Sequence, residues 1–151
     1  MTDIFFAEIP WSLRYTFMVL QSLSVFLFVF YFSDIKYTTK LLLTIVVAKI
    51  VVKDWVQSSF VIDFLEAIFI NLLINIFLVF AFTRVFNCRV IITTTLTSIV
   101  LLITIPSVTI LLVDNYPATH PHIVWFLARV PQVLILNFIV LWDYKTKFIG
   151  R

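Results

Sequence analysis

Two charged pairs stand close together in an otherwise apolar chain. Lys49 and Lys53 are four residues apart, and Asp63 and Glu66 are three apart. On a helix, either spacing puts both side chains on one face. Arg14 and Arg129 add single cations inside apolar runs, and Glu8 stands just ahead of the first run. Acids and bases in apolar surroundings can hold a charged ligand, or they can lock helices together as ion pairs. Both readings stay open at this point. Catalysis is not expected. Asp63 and Glu66 form the one close carboxylate pair and have lysines as partners, and no Ser-His-Asp order or His-Glu-x-x-His motif occurs.

Other chemistry is excluded by composition. The chain has 1 glycine, which removes phosphate-cradling glycine loops, and 1 cysteine, which removes a disulfide framework and a cysteine-based zinc site. His120 and His122 lie two apart in a loop and would hold a metal only weakly without further ligands. No metal, cofactor or nucleic-acid partner is expected. Cys88 beside Arg89 is expected to be a reduced thiol.

These residues must be positioned by a membrane bundle. The 151 residues are 62% hydrophobic and 13% charged, with a mean hydropathy of +1.11; a soluble domain is about 45–50% apolar and about 25% charged. A bilayer core needs about 20 apolar helical residues. Five segments qualify, at 10–32, 38–56, 60–83, 90–113 and 123–142. They predict an all-α membrane protein, a bundle of five transmembrane helices with short connections and one polytopic domain. The first span lacks a basic leader and a cleavage site, so it is expected to stay in the mature protein.

Basic residues orient the bundle. With five spans, Lys36, Lys40, Arg84, Arg89, Lys145, Lys147 and Arg151 share one side. The positive-inside rule makes that side cytoplasmic, with the N-terminus out and the C-terminus in. Trp11, Trp55 and Trp125 then mark outer ends, and Tyr31, Tyr37, Trp142 and Tyr144 mark inner ends. The second span carries Lys49 and Lys53. A charge at mid-bilayer costs about 2.5–3.5 kcal/mol, although a lysine about 10 Å from a helix end can snorkel part of that distance. Laying that segment on the surface would divide the basic residues between the two faces and erase the orientation signal.

In this topology, the charges inside the spans collect in the outer leaflet. Glu8, Arg14, Lys49, Asp63, Glu66 and Arg129 are the candidate ligand-binding residues, with Lys49 and Lys53 expected to face Asp63 and Glu66 across a short turn. Deeper polar residues are uncharged: Gln21, Asn71, Asn75 and the threonines and serines of the fourth span. They are expected to hydrogen-bond between helices. Pro106 interrupts the fourth span, and Pro131 falls in the first turns of the fifth, where proline is better tolerated. Arg84, Arg89, Lys145 and Lys147 are the candidate contacts for a cytoplasmic partner.

Two short motifs carry a family resemblance. Glu8-Ile9-Pro10-Trp11 runs into the first span, and Arg129-Val130-Pro131-Gln132 lies near the start of the last. In place and pattern they resemble the Glu-Leu-Pro-Glu and Gly-Leu-Pro-Gln elements in membrane sensor domains of peptide-responsive histidine kinases of the GHKL type in Gram-positive bacteria. Trp11 replaces the second acid, and Lys53-Asp54-Trp55 stands where that family has Arg-x-Leu-Pro. The resemblance implies a sensor bundle in a bacterial cytoplasmic membrane with an outside peptide as candidate ligand. No ATP-binding domain follows Trp142, so a stand-alone relative acting through a separate cytoplasmic partner is expected. The rival expectations are an accessory or anchor subunit of a larger membrane complex and, further off, a small transporter or channel. A homo-oligomer is compatible with each.

Overall fold

The computed structural model describes residues 10–60, 63–115 and 121–150, with the backbone alone at 121 and 122. Those residues form five helices and no strand: α1 (Trp11–Phe32), α2 (Thr39–Ser59), α3 (Phe64–Thr83), α4 (Cys88–Asn115) and α5 (Pro121–Ile149). α1, α3, α4 and α5 are long and apolar enough to cross a membrane. The 21 residues of α2 give a helix about 31 Å long, but Lys40, Lys49, Lys53 and Asp54 keep it outside that apolar set.

Local chemistry sets the boundaries. α1 ends in a Schellman pattern, with Ile35 N–H donating to Phe30 O at 2.9 Å and Asp34 N–H to Tyr31 O at 3.4 Å. Glycine usually fills the left-handed position, but here Asp34 takes it at φ 55°, and Arg84 does the same after α3 at φ 59°. Aspartate tolerates that region better than most residues, whereas arginine gains nothing from its side chain there. Thr38 caps α2 by accepting Leu41 N–H at 3.2 Å. α3 begins four residues later than the expected 60, because Asp63 occupies the cap and its N–H donates to Glu66 Oε2 at 3.3 Å. Asn87 accepts Val90 N–H at 3.0 Å and draws the start of α4 back to Cys88. α5 starts on a proline, which suits a first helical position. It continues past the expected 142 to Ile149, its last turns supported by a Lys147–Asp143 ion pair at 2.8 Å. Pro131 therefore lies nearly three turns inside α5, and not in its first turns.

α1 is the hub. It packs against α2, α4 and α5, while α2–α3, α3–α4 and α4–α5 are successive neighbours. Phe26, Val29 and Phe30 of α1 form the core with Ile45, Val46, Leu78, Val79, Val90 and Leu136. Side chains fix which ends meet. Arg89 pairs with Asp34, and Tyr31 donates to Asp143 at 2.9 Å, so the end of α1 meets the start of α4 and the end of α5. Phe17 lies edge-on to Trp125 and Phe126, so the starts of α1 and α5 meet.

The bundle is inside out by the standard of a soluble domain. α2 exposes Leu43, Val47, Val51 and Trp55, one per turn, and buries Lys49 at 3%. α3 exposes Leu65, Phe69, Leu73 and Phe77 in the same register and buries Asn75 completely.

Between α1, α4 and α5 runs a polar seam. Gln21 donates to Gln132 Oε1 at 2.5 Å, and Gln132 donates in turn to Thr97 O at 2.9 Å. Asn137 donates to Ser24 Oγ at 2.9 Å, and Ser33 and Thr93 hydroxyls lie 3.2 Å apart. The threonines of α4 behave differently from expectation. Thr94, Thr95 and Thr97 donate to carbonyls of their own helix, as do Ser98 and Ser107, and of the α4 hydroxyls only Thr93 reaches another helix among the described residues. A short hydroxyl side chain reaches the preceding turn more readily than a neighbouring helix. Replacing Gln132 with leucine should leave Gln21 unpartnered and cost about 1–2 kcal/mol. Unfolding in mixed detergent–SDS micelles would measure it, and an unchanged midpoint would remove the seam from the stability account.

Candidate functional site

The charged layer forms where α1 begins and α2 ends. Asp54 is its organiser. Tyr15 O–H donates to Asp54 Oδ2, and Arg14 Nη2 lies 3.5 Å from Asp54 Oδ1. Arg14 also donates to Gln57 Oε1 at 3.1 Å. Because Asp54 and Gln57 are three residues apart on one face of α2, one arginine engages both. The pair is largely withdrawn from solvent, with side chains 28% and 29% exposed.

α5 supplies the next cation. Arg129 lies 4.4 Å from the centroid of the Trp125 ring and donates to Trp125 O at 3.2 Å. Phe17 holds that ring from the side, 5.7 Å between centroids. The Trp125 indole N–H is buried and has no hydrogen-bond partner among the described residues. Lys53 stands on α2 next to Asp54 and one turn before Gln57. Lys49 is one turn deeper, its ammonium 5.4 Å from the Phe26 ring centroid. None of the described carboxylates is within ion-pair distance of Lys49, Lys53 or Arg129.

The expected set is thus brought together in part. Arg14, Lys49 and Arg129 join the layer. Asp63 and Glu66 do not pair with Lys49 or Lys53; both are exposed at the start of α3, where they serve its cap. The carboxylate that does the pairing is Asp54, assisted by Tyr15 and Gln57, which sequence reasoning missed. The signal was there: Arg14-Tyr15 begins one helix and Asp54 and Gln57 end the next, so antiparallel packing apposes them. Glu8 and His120 lie outside the described residues, as does the side chain of His122.

Lys53 and Gln57 also line a narrow cleft between α2 and α3, with Val56, Ala67, Ile70 and Asn71. It has space of about 20 Å³, enough for one water. Among the described residues, no three His, Cys, Asp or Glu side chains group as metal ligands.

The other end carries the candidate partner contacts, and all four are exposed. Arg89 is paired with Asp34, and Lys147 with Asp143 and the Tyr31 ring. Arg84 and Lys145 make no ion pair among the described residues. Cys88 is exposed at this end.

Compared with protein-family models, curated proteins and solved structures, the chain matches none.

Proposed function

We propose that this chain is a non-enzymatic integral membrane sensor or signalling component. In this reading all five helices cross the bilayer, with the N-terminus outside and the C-terminus in the cytoplasm of a bacterial cell. A ligand acts on the cationic layer at the outer end, and a separate cytoplasmic partner reads the basic end through Arg84, Arg89, Lys145 and Lys147. The observation that carries it is the inverted face of α2, which turns Leu43, Val47, Val51 and Trp55 outward and Lys49 inward. Water would reverse that arrangement, whereas lipid favours it. α1 supports the signalling part. It holds Arg14 and Tyr15 on Asp54 at one end and Tyr31 on Asp143 at the other, so a shift of this one helix reaches both. The resemblance of residues 8–11 and 129–132 to peptide-responsive sensor domains keeps an outside peptide as candidate ligand.

The narrowness of the cleft favours a second reading, an accessory or anchor subunit whose charged layer meets a partner within the membrane. Co-purification separates the two: a soluble cytoplasmic partner supports sensing, and a stoichiometric membrane complex supports the accessory role.

The topology has its own test. In a Cys88→Ser background, Ser58→Cys should react with an impermeant maleimide on intact cells, and Lys145→Cys only after permeabilisation. Labelling of both from one side would overturn the five-crossing arrangement.

A further inference from the structure

We propose that the cationic layer holds the phosphate of an anionic lipid headgroup at the mouth of the α2–α3 cleft. The inference rests on the membrane reading above and names a ligand class for the same layer.

The first argument is charge. Lys53 lines the cleft and Arg14 reaches its rim through Gln57, with Lys49 one turn deeper on α2; among the described residues, the carboxylate paired with any of them is Asp54. Asp54 is already engaged by Arg14 and Tyr15. Asp63 and Glu66, near in sequence, serve the cap of α3. Among the described residues, Lys53 therefore has no carboxylate within ion-pair distance. A cation withdrawn from water without a counter-charge is costly, so an anionic group that fits is held.

The second argument is the cleft. Lys53, Gln57 and Asn71 line it. Gln57 spends its oxygen on Arg14, which leaves its amide N–H groups to donate. An ammonium and two amides suit a phosphate oxygen set. The space does not enclose a ligand, and a headgroup phosphate docks at the mouth without being enclosed.

The third argument is depth and surroundings. Lys53 lies six residues before the last residue of α2, about 9 Å along the axis. Trp55, 66% exposed, marks the same level, where tryptophan meets headgroups. Below the cleft, Val47 and Val51 of α2 and Leu73 and Phe77 of α3 are exposed and apolar. Acyl chains of a lipid lie along such a surface, and free phosphate gains nothing from it. These contacts favour the lipid as the source of the phosphate.

The test uses the purified full chain in detergent, with bound lipid counted by native mass spectrometry. Phosphatidylglycerol, phosphatidylcholine and inorganic phosphate are the probes. Phosphatidylglycerol should be retained about tenfold more strongly than phosphatidylcholine, and millimolar phosphate should not displace it. Lys53→Gln should weaken retention of phosphatidylglycerol about tenfold, and Lys36→Gln, exposed at the other end, should not. Asn71→Leu, which keeps every charge, is the second variant and should also weaken retention; circular dichroism verifies that each variant is folded. Wild-type retention by folded Lys53→Gln and Asn71→Leu would overturn the proposal. Equal retention of phosphatidylcholine, or displacement by phosphate alone, would do so as well. Lipid retention is measured without any signalling readout, so a lost sensor role and a lost lipid site give separate results.

Discussion

Asp54→Asn should destabilise the folded bundle by about 3 kcal/mol, the largest loss expected from one substitution in the charged layer. The change keeps the side chain's shape and removes its charge. Tyr15 can still donate to the remaining carbonyl oxygen, but Arg14 loses its counter-ion. Arg14 then has no carboxylate within ion-pair distance among the described residues, and Lys53 stands next to the substituted position. An exposed pair would contribute only about 0–1 kcal/mol. Here both side chains are more than two-thirds buried, and breaking such a pair strands a cation. Unfolding in mixed micelles, followed by circular dichroism, should show the drop. Adding Arg14→Met should recover part of it, since the stranded charge is then removed as well. If Asp54→Asn unfolds with the wild-type midpoint, the Arg14–Asp54 contact contributes nothing and the layer is held by packing alone.

The helices were legible in the sequence and the pairings were not, for a physical reason. Apolar runs of about 20 residues with a single glycine leave the backbone little choice once water is excluded. Their ends were less legible, because short-range chemistry sets them: the Asp63–Glu66 cap moves the start of α3 from the expected 60 to 64, and Asn87 moves that of α4 from 90 to 88, while Thr38 caps α2 where its run begins. How a helix is rotated about its axis is another matter. α3 is apolar nearly all round, so its sequence does not say which face meets α2. Asp63 and Glu66 therefore looked like natural partners for Lys49 and Lys53, yet they lie on the exposed cap. Asp54 follows Lys53 directly, yet one residue on a helix turns the side chain by about 100°, and here that turn brings it to Arg14 and Tyr15 of α1. The seam was legible in kind only. Gln21 was visible as a polar group in an apolar run, but its partner Gln132 is 111 residues away, and long-range pairing is settled by packing. The α4 threonines were visible too, but Thr94, Thr95 and Thr97 bond within their own helix and Thr93 alone of the α4 hydroxyls bridges, to Ser33, among the described residues.

Lys49→Met should act in the opposite sense to Asp54→Asn and stabilise the bundle by about 1–2 kcal/mol. Lys49 is 3% exposed and has no carboxylate partner among the described residues; its ammonium lies 5.4 Å from the Phe26 ring centroid. A cation over a ring contributes about 0.5–2 kcal/mol, against about 2.5–3.5 kcal/mol for a charge within the bilayer, where the proposed five-crossing arrangement puts Lys49. The second effect wins by about 1–2 kcal/mol, and methionine fills similar volume without a charge. Lys49 is also repelled by Lys53 one turn away, so its removal relieves the layer above as well. The same unfolding measurement checks it. A loss of stability would mean that Lys49 holds an anion of its own, and the deeper turn would then belong to the ligand site. A gain would mean that the lysine is carried at the expense of stability. Such a residue biases which helix packing is preferred, because a packing that lets its ammonium reach the surface is favoured over one that buries it. An anion bound at Lys53, one turn away, would act on the same balance.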